Sequence, residues 1–166
     1  IAEGLESDLL LLSGGVSAGK YDVVETALAR LGATFFFDRV AIQPGQSLVF
    51  GQVRERFFFG LPGNPASTMV CFEIFARAAV DLLGGRREAP LAFTRAELSA
   101  GFTHRAGLTR FLPARLEAGG GRVSKINWTG SSDVAALARA NCFLVAAPDR
   151  PEYAAGDGID VLLLER

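Results

Sequence analysis

The chain has 166 residues, of which 49% are hydrophobic and 21% charged, and its net charge is −1. That length holds one domain or two small ones, and the composition is that of an ordinary globular protein rather than a disordered one. Residues 1–84 carry a net charge of −3 and residues 85–166 one of +2, so neither half is basic enough to suggest a nucleic-acid partner.

Asp8 is followed by four leucines, residues 9–12, and then by Ser13-Gly14-Gly15-Val16-Ser17-Ala18-Gly19-Lys20-Tyr21-Asp22. The leucine run predicts a central parallel strand buried on both faces. Glycines at its end let backbone N–H groups approach a ligand closely, and a helix starting near Asp22 adds partial positive charge. Open α/β sheets bind phosphates and other anions at such a place. The competing reading is a tight strand-to-helix connection with Asp22 as N-cap. Almost nothing precedes Leu9 that could pair with the strand or cover it. The expectation is that a missing half of the domain, or another chain, completes it. Left alone, the chain is expected to self-associate or aggregate through its apolar edge.

Val23, Val24, Ala27, Leu28 and Leu31 fall on one helical face, and Gly32 suits the position just past the helix end. Residues 34–37 form a short apolar run. Residues 40–42 and 47–50 read as strand material around a Pro44-Gly45 turn, and residues 53–59 as a returning strand. Phe57-Phe58-Phe59-Gly60-Leu61-Pro62-Gly63-Asn64-Pro65-Ala66-Ser67-Thr68 then repeats the grammar of the first loop. Pro65 fits the first turn of a helix and Asn64 its N-cap. Ser17, Ser67 and Thr68 place hydroxyls near the loops. Two such strand–loop–helix units could set two anion-binding loops on one rim of a sheet. The second helix is predicted over residues 66–83, with Met69, Phe72, Phe75, Ala76, Ala79, Leu82 and Leu83 in the core.

Gly84-Gly85-Arg86-Arg87-Glu88-Ala89-Pro90 marks a boundary. Beyond it strands are predicted over residues 91–98, 109–116, 122–128, 142–146 and 159–164, with a Gly119-Gly120-Gly121 turn and a short helix over 133–139. Short strands with glycine turns predict a small β-barrel or sandwich-like domain. Cys71 and Cys142 read as buried hydrophobes rather than a disulfide. His104 reads as a solvated side chain in a polar turn, and no structural metal is expected. No apolar segment reaches membrane-spanning length and no signal-peptide pattern opens the chain.

Ser13-Gly14-Gly15-Val16-Ser17, with Gly19 and Asp22, resembles the SGGVSxGxxD signature of molybdopterin molybdotransferases. This family includes the bacterial molybdenum-insertion enzyme and the E domain of gephyrin. Gly60-Leu61-Pro62-Gly63-Asn64-Pro65 with Ser67 resembles its GLPGNPxS loop. Val40-Ala41-Ile42-Gln43-Pro44-Gly45-Gln46 resembles its strand-and-PGK segment. Gly130-Ser131-Ser132 and Ala140-Asn141-Cys142 resemble the GSG…AN pattern of its C-terminal domain. The matches run in family order through nearly the whole chain.

The resemblance implies α/β plus small all-β architecture. Residues 1–84 would be the C-terminal half of a three-layer α/β molybdopterin-binding domain, and residues 85–166 a small β-barrel-like domain. Full members carry further domains ahead of this segment and are homodimers, so the segment by itself is expected to be inactive. The implied reaction inserts molybdate into adenylylated molybdopterin and releases AMP, with a divalent cation such as Mg2+, in the cytoplasm. Ser13, Gly14, Gly15, Ser17 and Gly19 would bind substrate, together with Pro62, Gly63, Asn64, Pro65 and Ser67. Asp22 would bind the cation or orient a water. The family often has lysine where this chain has Gln43 and Gln46, which puts the anion affinity in question; Lys20 is a candidate substitute. Two alternatives remain at this point. One is a molybdopterin adenylyltransferase, which would typically read TGGTG and lack residues 91–164. The other is a non-catalytic, peptide-binding scaffold of the gephyrin type.

Overall fold

The computed structural model describes residues 1–16, 23–88 and 90–164. It divides into two compact units, one of residues 1–40 with 45–90 and the other of residues 41–44 with 91–166. The division falls at residue 90 rather than 84, and a short strand from the first half of the sequence belongs to the second unit.

The first unit is built on a four-stranded sheet. Its strands are β1 (Leu9–Ser13), β2 (Thr34–Phe37), β4 (Val49–Val53) and β5 (Arg56–Leu61), in the order β1-β5-β4-β2. β1 runs parallel to β5, while β4 is antiparallel to both β5 and β2. β1 is therefore an edge strand among the described residues, not a central one. It is half-buried, and Leu11 is 39% exposed. The leucine run correctly marks a strand made for burial, but only one flank of it is paired here.

Helix α1 (Val24–Arg30) lies on one face of this sheet, where Leu28 packs with Val16, Val49, Val53 and Phe58. The N-cap position is Val23, which is exposed and makes no side-chain cap, and Asp22 lies outside the described residues. The helix ends as its glycine predicts. Gly32 takes φ +81°, its N–H donates to Ala29 C=O at 3.0 Å, and Ala33 N–H donates to Leu28 C=O at 3.1 Å. This is a Schellman closure.

On the opposite face, Phe50 stacks on Phe59 with ring centroids 4.5 Å apart and on Phe57 at 5.8 Å, and Phe37 meets Phe75 at 6.3 Å. Phe75 belongs to the second helical segment. That segment is α2 (Pro65–Cys71), a π-helical turn (Phe72–Ala76) and α3 (Arg77–Leu83) in succession. The π turn inserts residues into the 3.6 repeat and rotates everything after it. No residue of α3 is buried, and Leu82 and Leu83, expected in the core, are each 52% exposed. Within the turn, Glu73 is buried and makes a two-pronged ion pair with Arg77, at 2.6 and 2.7 Å.

The second unit closes on itself. Its strands are β3 (Ile42–Gln43), β6 (Phe93–Leu98), β7 (Phe102–Thr103), β8 (Thr109–Leu116), β9 (Arg122–Lys125), β10 (Cys142–Ala146), β11 (Glu152–Tyr153) and β12 (Gly158–Leu163). The order β10-β12-β6-β9-β8 returns to β10, giving a five-stranded barrel, and β3 adds to β8 in parallel. Closure removes sheet edges within the ring. Ala96, Leu98, Leu112, Ala114, Val123, Cys142, Leu144, Ile159 and Val161 fill its interior. Helix α4 (Val134–Arg139) is capped by Asp133, whose carboxylate accepts from Ala136 N–H at 2.9 Å.

Strands β7 and β11 form a separate pair that the sequence pattern did not reveal. They hold Tyr153 stacked on Phe102 at 5.1 Å. His104 is not loose in a turn. Its ring lies 6.0 Å from that of Tyr153, and its nitrogens lie 3.1 Å from Arg105 C=O and 2.7 Å from Arg150 C=O. Cys71 and Cys142 are both free and buried.

Candidate functional site: two glycine loops on one rim

Because β1 and β5 are parallel neighbours, the segments leaving their C-terminal ends emerge on the same rim. The ladder's last pair is Ser13 with Leu61, and Gly14 N–H extends it to Leu61 C=O at 2.9 Å. Beyond that point the two backbones touch. A Cβ built on Gly63 would stand 3.3 Å from Gly14 Cα and 3.9 Å from its nitrogen. Gly63 has no left-handed φ, so the demand for glycine there comes from its neighbour. Gly14 and Gly15 do need it, at φ +84° and +69°. Gly15 is also pressed against Val24, 2.9 Å from its Cγ2 to the added Cβ.

The loops are supported from below by another close fit. A Cβ on Gly60 would stand 2.6 Å from Val16 Cγ1 and 3.3 Å from Val49 Cβ. Val16, at 2% exposure, thus uses the space that the glycine inside the Phe57–Leu61 run leaves open. The sequence held this signal, a glycine interrupting a buried strand, but not the identity of the neighbour.

In the second loop Pro62 is buried, while Gly63, Asn64 and Pro65 are exposed. Asn64 holds the N-cap position with φ −74° and ψ 131°, yet its side chain makes no capping bond. Its carbonyl accepts the first helical bond, from Thr68 N–H at 2.9 Å. The Thr68 hydroxyl is turned inward. It is hydrogen-bonded to Pro62 C=O and lies 3.1 Å from Asn64 C=O. Ser67 is buried at 6% exposure. Neither Gly63 N–H nor Asn64 N–H makes a hydrogen bond among the described residues. The rim therefore offers backbone N–H dipoles of the kind that cradle anions.

The structure thus brings Gly14 close to Gly63, with Ser13 paired to Leu61, while Gly15 continues the first loop and Pro62, Asn64 and Pro65 belong to the second. Ser17, Gly19, Lys20 and Asp22 lie outside the described residues. Gln43 and Gln46 are exposed and fall in different units. Between them Gly45 C=O accepts from Cys71 Sγ at 3.3 Å, and burial pushes the Cys71 thiol up to about 12. A buried protonated thiol of this kind is structural rather than nucleophilic.

The motif matches in the second unit have structural duties. Asn141 Oδ1 accepts from Leu116 N–H at 2.8 Å, and its Nδ2 donates to Leu116 C=O at 2.9 Å. Asn141 also borders an open depression of about 490 Å3 with Arg115, Glu117 and Ser124. Gly130 takes φ +136° in the turn before α4. The N–H groups of Ala136 and Thr129 hold the Asp133 carboxyl below the ordinary carboxylate value of 3.8.

The described residues thus form an α/β unit that carries two glycine loops on one rim of its sheet, and a small closed β unit. Residues 1–81 match the family model for a probable molybdopterin binding domain, and residues 95–164 match that for the MoeA C-terminal region, domain IV. The chain is 31% identical to the molybdopterin molybdenumtransferase of Staphylococcus aureus strain COL, over 99% of this chain and 40% of that protein. It is 30% identical to the enzyme of the same name from Bacillus subtilis strain 168, over 95% of this chain and 37% of that protein. A crystal structure of a molybdopterin biosynthesis MoeA protein from Pyrococcus horikosii superposes with TM-score 0.75 at 25% identity, covering 96% of this chain and 38% of that one. A molybdenum cofactor biosynthesis protein from Pyrococcus furiosus shares the fold, with TM-score 0.70 at 23% identity, covering 96% and 50%. The chain belongs to the molybdopterin molybdotransferase family and spans about two fifths of the length of these curated relatives.

A divalent cation finds little support in the described residues. No group of three or more His, Cys, Asp or Glu side chains gathers among them, and residues 13–16 and 62–65 carry no carboxylate. Among the described residues no helix is long and apolar enough to cross a membrane.

Proposed function

We propose that this chain supplies the paired backbone loops that hold the phosphate-linked pterin substrate during molybdenum cofactor biosynthesis. The step is the insertion of molybdate into adenylylated molybdopterin with release of AMP. The carrying observation is the close approach of Gly63 to Gly14 on one rim, with the Gly63 and Asn64 N–H groups making no hydrogen bond among the described residues.

The chemistry asks two anions, a pyrophosphate-linked nucleotide and molybdate, to sit close together. Fixed N–H dipoles suit that task, because they stabilise developing negative charge without titrating and without reorganising. Glycine at both contact positions lets the peptide groups approach without side chains between them. Asp22 is the residue of this chain assigned to the divalent cation or to orienting the nucleophile. A homodimer is the assembly expected of the full-length protein.

The test is a titration of the chain with AMP, followed by amide chemical shifts. Gly14, Gly15, Gly63 and Asn64 should move together while residues 91–164 stay in place. Shifts confined to residues 91–164 would overturn this placement of the site.

A further inference from the structure

The two loops need a device that fixes the direction of their peptide groups, since a glycine between flexible bonds points its N–H anywhere. The first loop is held by the Gly14 N–H bond to Leu61 C=O and by Val24 N–H, which donates to Gly15 C=O at 3.3 Å. In the second loop the corresponding restraint is a side chain. Thr68 sits on α2, six residues after Pro62, and its hydroxyl reaches back to the Pro62 carbonyl while lying 3.1 Å from the Asn64 carbonyl.

We infer that Thr68 is a positioning residue for the rim: its hydroxyl holds the Pro62–Gly63 peptide in the orientation that presents the Gly63 N–H to an anion. This rests on the substrate reading above. The physical step is peptide planarity. The cis peptide bond of the described residues is Gln43–Pro44, so Pro62–Gly63 is trans. In a trans peptide the C=O and the following N–H point in opposite directions. A Pro62 carbonyl drawn toward α2 by Thr68 therefore turns the Gly63 N–H away from the helix. Asn64, the usual candidate for restraining such a turn through its own side chain, makes no capping bond. Thr68 takes over the restraint and leaves the Asn64 amide exposed. The hydroxyl is spent on the loop, so Thr68 acts through Gly63 and not by touching substrate.

The experiment compares Thr68→Val, which keeps the shape and removes the hydroxyl, with Thr68→Ser, which keeps the hydroxyl. AMP affinity is read from amide shifts and stability from the melting temperature. Thr68→Val should weaken AMP binding by about tenfold, and Thr68→Ser should restore it to within about twofold of the parent. Val53→Ala, a core substitution on β4 away from the loops, serves as a control for destabilisation and should keep parental affinity. Parental affinity in Thr68→Val, or equal weakening in Thr68→Ser, would overturn the inference. If the parent chain itself shows no AMP response at the rim, the substrate reading fails, and the ligand-free spectra decide the role of Thr68. Thr68→Val should then displace the Gly63 and Asn64 amide signals and weaken the Gly63–Gly14 cross-relaxation, with Thr68→Ser parental. Unchanged spectra in Thr68→Val would refute it.

Discussion

Gly60→Ala puts the support beneath the loops to a quantitative test. The new methyl would stand 2.6 Å from Val16 Cγ1 and 3.3 Å from Val49 Cβ. The nearer atom belongs to a short β-branched side chain at 2% exposure, which has no free space to swing into. Overpacking of this kind costs about 1–3 kcal/mol. Taking about 2 kcal/mol and a urea m-value of about 2 kcal/mol per molar, the midpoint should fall by about 1 M. Amide signals of Val49 and Phe58 would report the first unit, with Val161 as an internal reference in the second. Because Val16 follows directly on the first loop, Gly14 and Gly15 signals should shift as well. The decisive step adds Val16→Ala. Removing the crowded Cγ1 should make Gly60→Ala less costly by about 1–2 kcal/mol, a coupling measured by the double-mutant cycle. If Gly60→Ala costs the same with Val16 present or removed, the packing argument is wrong.

Three further outcomes are expected. In a chain spanning the whole length of the relatives, Asp22→Asn should lower molybdate insertion by at least about tenfold with little change in melting temperature, because asparagine keeps the shape of the side chain and lacks its charge, and the N-cap position of α1 is Val23; preserved activity would remove Asp22 as the catalytic candidate. Arg54 and Glu55 join β4 to β5 at φ +47° and +68°, so Arg54→Asn with Glu55→Gly should stabilise the first unit by about 1 kcal/mol in urea unfolding, an unchanged midpoint counting against strain at this turn. The Asp133 carboxyl titrates below its ordinary value of 3.8 in the folded state, so its contribution is present above that value and is lost as pH falls through the lowered one. The stability difference between the parent and Asp133→Ala should accordingly shrink below about pH 4; a difference constant from pH 7 to pH 2 would show that charge at the cap is irrelevant.

Much of this protein was legible as local chemistry. Gly32 stops α1 because its left-handed φ costs nothing there, and Asp133 starts α4 because its carboxylate meets a free N–H. The barrel strands announced themselves by apolar runs between glycine turns, and the two glycine loops by their repeated strand–turn–helix order. These signals act within a few residues, so the sequence alone determined them and, through the motifs they spell, the family.

Tertiary structure decided whatever depends on distant neighbours. A run of four leucines does not say how many partners flank it, and β1 has one partner among the described residues. Apolar spacing along residues 66–83 gave no warning of the π turn, nor that α3 beyond it buries no residue. Pairing β3 with β8 carries residues 41–44 into the second unit, although they are far from it in sequence. The contact of Gly14 with Gly63 is of the same kind. Each glycine was visible alone, but their spacing of 49 residues becomes a backbone contact only because β1 and β5 lie parallel and in register. Sequence patterns encode which face of an element avoids water; which other element meets that face is set by strand pairing over long loops, and no local pattern records it.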